Sequence, residues 1–139
     1  MRFMIIRKAD AQTEAWAKPS TALLDAMMAY NEEMIRAGVM LGGDGLKPSS
    51  RGARIKFSKG KPKVTDGPFA EAKELVAGYT IIQVASREEA LEWAKRWPAE
   101  DGDGEVELEL RELYEADDFG DEATPAIQRQ EQLLRERAR

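Results

Sequence analysis

The sequence has no cysteine and no histidine. Without cysteine, disulfide staples and thiolate chemistry are excluded. Without histidine, the chain lacks the commonest general base near neutral pH and the commonest metal ligand. Chemistry is left to carboxylates, Lys, Arg, Tyr, Ser and Thr. Long apolar runs are missing too, and none approaches the roughly 20 residues of a membrane span. The Met1-to-Lys8 start is apolar but short for a signal peptide, and no small-residue cleavage site follows it. Basic charge is in deficit, with 21 Lys and Arg against 26 Asp and Glu. A net charge of −5 argues against direct nucleic-acid binding, which needs cations to neutralise phosphates. The expectation is a cytoplasmic protein with no membrane partner and no direct nucleic-acid partner.

A length of 139 residues suits one domain with its own core. Apolar residues make up 42% and charged residues 34%, the balance of a globular domain with a well-charged surface. Arg2–Arg7 is a short run rich in Phe and Ile, apolar on both alternate sets, which predicts a strand covered on both faces. Ala9–Pro19 reads as a polar connection, with Trp16 covering a core edge. Ser20 or Thr21 caps a helix reaching about Ala37, with Gly38 as its stop. Its stripe of Leu23, Leu24, Met27, Met28, Met34 and Ile35 reads as core packing, ahead of an adaptable binding face.

Gly42-Gly43-Asp44-Gly45, followed by Pro48, predicts an irregular loop. It is either a structural turn or a loop lining a ligand, and it lacks the lysine and hydroxyl of a phosphate-binding loop. Ala53–Ser58 alternates as a strand with one buried face, and Lys59–Pro62 turns it into a return strand. Leu75–Ala85 is apolar on both faces, with Gly78 a candidate bulge. Ser86 and Glu89 form a capping box for a helix stopped by Pro98. Glu105–Leu113 alternates as the last strand. Its Glu105/Glu107/Glu109 face reads as solvated, because no calcium loop accompanies it. Residues 114–139 form a linker and a C-terminal helix begun at Thr124-Pro125, with too few apolar residues to hold itself in place.

The order β-α-β-β-α-β plus a tail helix predicts an α+β, ferredoxin-like fold with both helices on one face of an antiparallel sheet. The strands that are apolar on both faces leave one face uncovered. A second copy of the sheet is the simplest cover, so a homodimer is expected.

Asp66-Gly67-Pro68-Phe69-Ala70-Glu71-Ala72-Lys73-Glu74 puts a turn, an aromatic anchor and four charges into nine residues. With Lys63-Val64-Thr65 before it, it closely resembles the signature of YCII-related proteins of the DGPF (DGPFAETKE) type, departing from it at Ala72. The resemblance extends to Gly43-Asp44-Gly45-Leu46, Gly78-Tyr79 and Glu89–Ala94, and covers residues 1–113. It implies a dimeric α/β barrel. Some YCII-like proteins resemble muconolactone isomerase-type enzymes, with a proposed His–Asp pair. This chain offers only the Asp of that pair, Asp66. Members of the DGPF branch are also associated with transcription initiation.

Asp66 in its Asp-Gly-Pro context can simply build an Asx-turn, with Phe69 plugging the core and Lys73 paired to a carboxylate. Alternatively, Asp66 is a general base at a cleft, with Glu71 a second carboxylate and Lys73 or Arg7 an electrostatic partner. The candidate catalytic residues are therefore Asp66, Glu71 and Lys73, and the candidate ligand-binding residues are Arg7, Asp44, Phe69 and Tyr79. No cofactor or metal is expected, since no dinucleotide fingerprint, phosphate loop or ligand cluster is present. Two functions stay open: a cofactor-free lyase-, isomerase- or hydrolase-like enzyme for a small acid or lactone, and a non-catalytic dimeric module binding a metabolite or protein, with a link to transcription regulation.

Overall fold

A computed structural model describes residues 1–137. Its order is β1 (Arg2–Lys8), α1 (Ala11–Glu14), α2 (Thr21–Arg36), β2 (Met40–Gly45), β3 (Ala53–Ser58), β4 (Lys61–Asp66), β5 (Val76–Gln83), α3 (Arg87–Lys95), β6 (Leu108–Glu112) and α4 (Thr124–Arg137). Strands β2, β5, β1 and β6 lie side by side in that order and are all antiparallel. This is the ferredoxin-like βαββαβ arrangement, with the β3–β4 hairpin inserted between its second and third strands. Among the described residues no helix is long and apolar enough to cross a membrane.

The helix caps follow from the sequence. Ser20 Oγ accepts from the Leu23 N–H at the start of α2, and Ser86 Oγ accepts from the Glu89 N–H at the start of α3. Gly38 takes φ +72° after α2, the left-handed conformation that ends a helix cheaply only at glycine. One polar segment is more ordered than expected. Asp10 and Thr13 cap each other across a single helical turn, α1, inside the predicted connection.

The second strand of the sheet differs from the expectation. The glycine-rich segment is β2, not a loop, and its Gly43 and Gly45 pair with Thr80 and Gly78 of β5. Glycine there serves proximity: a β-carbon on Gly43 would stand 2.6 Å from the Tyr79 carbonyl oxygen. Ala53–Ser58, expected in the main sheet with one face buried, belongs instead to the separate hairpin, with every residue exposed. Alternation along the hairpin puts Ile55 opposite Val64 and Lys56 opposite Lys63, so one face is apolar and the other basic. Phe57 is 65% exposed and Val64 62%. Seven of the chain's 21 basic residues fall between Lys47 and Lys63, with no acidic residue among them, so this arm is cationic on an acidic chain.

The core lies between the sheet and helices α2 and α3. Phe3, Ile5 and Ile82 from the sheet meet Tyr30 and Met34 of α2 and Ala90 of α3. The α2 stripe therefore divides. Met34 is core, joined by the unforeseen Tyr30, while Leu24, Met28 and Ile35 are about half exposed. On the opposite face, Met4, Ile6, Tyr79 and Ile81 are half-buried and alternate with the core residues. The tail helix forms, and it packs against the turn at Ala116–Phe119, where the Tyr114 and Phe119 rings meet at a tilt with centroids 4.9 Å apart. Leu133 and Leu134 stay more than half exposed.

Candidate ligand-binding site

The helix-facing side of the sheet changes character along its length. At one end it carries Phe3, Ile5, Met40 and Ile82, which fill the space beneath the helices. At the other end the same side presents Gly43, Gly45, Gly78, Thr80 and Arg7. Three of those five have no side chain, so the space beneath the first half of α2 is not filled. A cavity of about 450 Å³ results, within the range of small-molecule sites. Leu23, Leu24, Met27 and Met28 roof it, and Trp97 and Asp101 close its inner end.

The polar end is built around Arg7. Its Nε donates to Asp101 Oδ2 at 3.0 Å and its Nη2 to Asp101 Oδ1 at 2.7 Å, a two-pronged buried pair. Nη1 donates to the Lys8 carbonyl at 2.7 Å and to Asp10 Oδ2 at 3.0 Å. Four of the five guanidinium N–H groups are thus engaged. Asp101 also accepts from the Trp97 indole N–H at 2.9 Å. Burial alone would push the Asp101 carboxyl up. The bonds from Arg7 and Trp97, with the Arg7 charge, outweigh burial and hold it below the ordinary carboxylate range. Asp10 is held down in the same way, against its own burial, by the Thr13 N–H and by Arg7. The Asp101 bonds raise Arg7 above its already high ordinary value, over the opposing effect of burial.

Thr80 is a buried polar residue beside this pair. Among the described residues its hydroxyl has no hydrogen-bond partner, yet no sealed side-chain polar atom lacks one. The hydroxyl therefore opens into the cavity. Arg7, Asp44 and Tyr79 all border the cavity, but in different ways. Arg7 enters it with its side chain. Strand alternation sends the Asp44 and Tyr79 side chains to the opposite face, where the Tyr79 hydroxyl donates to Asp44 Oδ2 at 3.3 Å.

The signature segment lies elsewhere. Asp66 ends β4, and Asp66, Glu71 and Lys73 are exposed and outside the cavity lining. The structure does not bring these three into a cleft with Arg7, because the turn that carries them is fastened to another part of the chain. The Gly67 N–H donates to the Gly52 carbonyl at 3.0 Å and the Phe69 N–H to Ser49 Oγ at 3.0 Å. Ser49 in turn gives its N–H to Glu14 Oε2 at 2.8 Å and its hydroxyl to Glu14 Oε1. Phe69 is half-buried beneath the Arg54 guanidinium, 3.9 Å from its ring centroid, rather than in the core or the cavity. The segment is a clasp joining the hairpin, the Ser49 turn and α1.

A family model described as the YCII-related domain matches residues 1–115. The chain belongs to the YCII-related family. Among curated proteins, this YCII-related chain is 33% identical over 87 residues to an uncharacterized protein, R00369, of Rhizobium meliloti (strain 1021). That match covers 62% of this chain and 70% of the relative. Among solved structures it is similar to the 5-chloro-2-hydroxyhydroquinone dehydrochlorinase TftG from Burkholderia phenoliruptrix AC1100, in complex with 2,5-dihydroxybenzoquinone. There the identity is 13% and the TM-score 0.44, covering 82% of this chain and 94% of that one.

Asp101, Trp97 and Thr80 were not singled out from the YCII-related sequence. Asp101 sits in an acidic, glycine-bearing stretch that looks like solvated loop, and its partner Arg7 is 94 positions away. The one usable signal was Arg7 itself, an arginine on the helix-facing side of a strand otherwise apolar there, which needs a carboxylate if buried.

Proposed function

We propose that this YCII-related domain is a dimeric, cofactor-free binding module for a small organic molecule, held in the cavity beneath α2. The observation that carries this reading is the state of Arg7 and Asp101, the charged pair at the cavity's polar end. Proton-transfer chemistry of the lyase, isomerase or hydrolase kind needs a group that exchanges protons near neutral pH. Asp101 is held ionised by three hydrogen bonds and Arg7 is held protonated by four. Each is spent on orienting the other, which supports recognition over reaction. Asp66, Glu71 and Lys73 lie exposed on the segment after β4, outside the cavity lining.

The test is a fragment screen read by two-dimensional amide NMR. Hits should move the Trp97 indole signal and the amides of Gly43–Gly45. Hits that move Gly67–Phe69 and leave Trp97 in place would transfer the site to the signature segment. Turnover of a hit, seen as a new product in its one-dimensional spectrum, would overturn the non-catalytic reading.

The dimer rests on uncovered apolar surface. Met4, Ile6 and Ile81 form a half-buried face that no helix of the described residues covers, and the hairpin adds exposed Ile55, Phe57 and Val64. The cationic arm also complements the acidic surface of a second copy. Light scattering after size exclusion should give twice the chain mass, and Ile6→Glu should return it to a monomer with an unchanged circular-dichroism spectrum. A monomeric wild type would remove the dimer from this proposal.

A further inference from the structure

We infer that the cavity selects an uncharged ligand, an apolar ring or chain bearing one hydroxyl or carbonyl, and rejects carboxylates and phosphates. The inference rests on the cavity reading above and adds the chemical class to it. A buried arginine near a ligand cavity ordinarily suggests an anion receptor. Here the count of charges and donors points the other way.

Arg7 is the one cation among the lining residues. Two carboxylates already sit on it, Asp101 at 2.7 Å and Asp10 at 3.0 Å, so the cluster of three carries a formal charge of −1. The cluster's unspent donor capacity is a single N–H on Nη2. An anion arriving at that N–H would also meet Asp101, and beside a carboxylate only 11% exposed like-charge contact is less screened than in bulk water. It would have to displace a two-pronged carboxylate held further by Trp97. A bidentate acid receptor is therefore closed by the chain's own acid.

What remains open is neutral: the Asn31 side-chain amide, which also lines the cavity, and the Thr80 hydroxyl. The Thr80 hydroxyl, with no partner among the described residues, can donate to a carbonyl or accept from a hydroxyl. Gly43 keeps it reachable. A β-carbon at position 43 would come within 3.3 Å of the Thr80 Oγ1. The roof of Leu23, Leu24, Met27 and Met28 is apolar and adaptable, suited to a flat or branched hydrocarbon body. Of the small acids and lactones that the sequence left equally open, this chemistry retains the lactones and rejects the acids.

Three probes of one shape separate the possibilities: 2-naphthalenemethanol, 2-naphthoate and 2-naphthylmethylammonium, each titrated to millimolar concentration against the whole chain. The Trp97 indole and Thr80 methyl signals are followed by NMR. The alcohol should bind at least roughly tenfold tighter than either ion. Thr80→Val, which keeps the shape and removes the hydroxyl, should weaken the alcohol roughly five- to tenfold, as expected for one hydrogen bond. Binding of the naphthoate or the ammonium as tightly as the alcohol, with Trp97 still responding, would overturn the charge inference and leave the cavity reading standing. Equal affinity of wild type and Thr80→Val for the alcohol would overturn the role given to Thr80. If no probe moves either signal, the cavity reading itself fails and takes the inference with it.

Discussion

Gly67→Ala should lower the stability of the fold by about 3 kcal/mol, the upper part of the range for overpacking a close-packed site. A β-carbon at position 67 would stand 1.8 Å from the Ser49 carbonyl oxygen and 2.6 Å from its carbon. Both are backbone atoms, so no side chain can turn aside to make room. Ser49 is itself pinned by two bonds to Glu14 and by the Phe69 N–H. Relief therefore means separating the hairpin from the Ser49 turn and losing those bonds together. Gly42 supplies the control. A β-carbon there meets nothing within 4 Å, so Gly42→Ala should be neutral or stabilising by up to about 1 kcal/mol. Urea unfolding of the two variants should show the contrast, and thermal melts should place them about 10 °C or more apart. Equal stabilities would mean that the clasp is dispensable and that the signature segment owes its composition to something else.

What the sequence made legible was whatever depends on neighbours along the chain. Ser20 and Ser86 announce their helices by local hydrogen bonding, and Gly38 ends one by backbone conformation. The two-faced apolar runs marked β1 and β5 as strands, and both are. Glycine misled. Gly42–Gly45 has the composition of a loop, but its Gly43 answers to a neighbouring strand whose carbonyl oxygen lies only 2.6 Å from a would-be β-carbon, which local propensity does not contain. The hairpin misled for a related reason. Ile55, Phe57 and Val64 alternate as a buried strand should, yet nothing in the described chain buries them. Alternation states that a face is apolar and leaves open what covers it. The signature was legible as composition but not in its placement: Asp66, Glu71 and Lys73 lie exposed outside the cavity lining, while its glycine and its aromatic residue fasten the segment to the Ser49 turn and beneath Arg54. The actual polar cluster joins positions 7, 10, 97 and 101, a meeting fixed by topology rather than spacing.

Asp101→Asn should cost about 3–5 kcal/mol, the range for removing one partner of a buried ion pair. Arg7 and Asp101 have side chains only 8% and 11% exposed. An asparagine keeps the shape but withdraws the charge, leaving the guanidinium buried with Asp10 as its one counterion. One amide N–H would also face the Arg7 donors. Arg7→Met should cost a similar amount for the converse reason. The double replacement Arg7→Met with Asp101→Leu should cost clearly less than the two single changes added together, since it removes the stranded charge as well as the bond. The pair also predicts a pH dependence. Asp101 has a folded pKa below its ordinary value of 3.8, so its contribution is fully present above that value and is lost as pH falls through the lower, folded one. Asp10 adds to the loss in the same direction, because its folded value is lowered too. The stability gap between wild type and Asp101→Asn should thus be widest near neutrality and narrow below pH 3.8. Urea titrations from neutral pH into the acid limb measure this directly. A gap that stayed constant across that span would show that the carboxylate contributes shape and hydrogen bonding at this site, with its charge of no consequence.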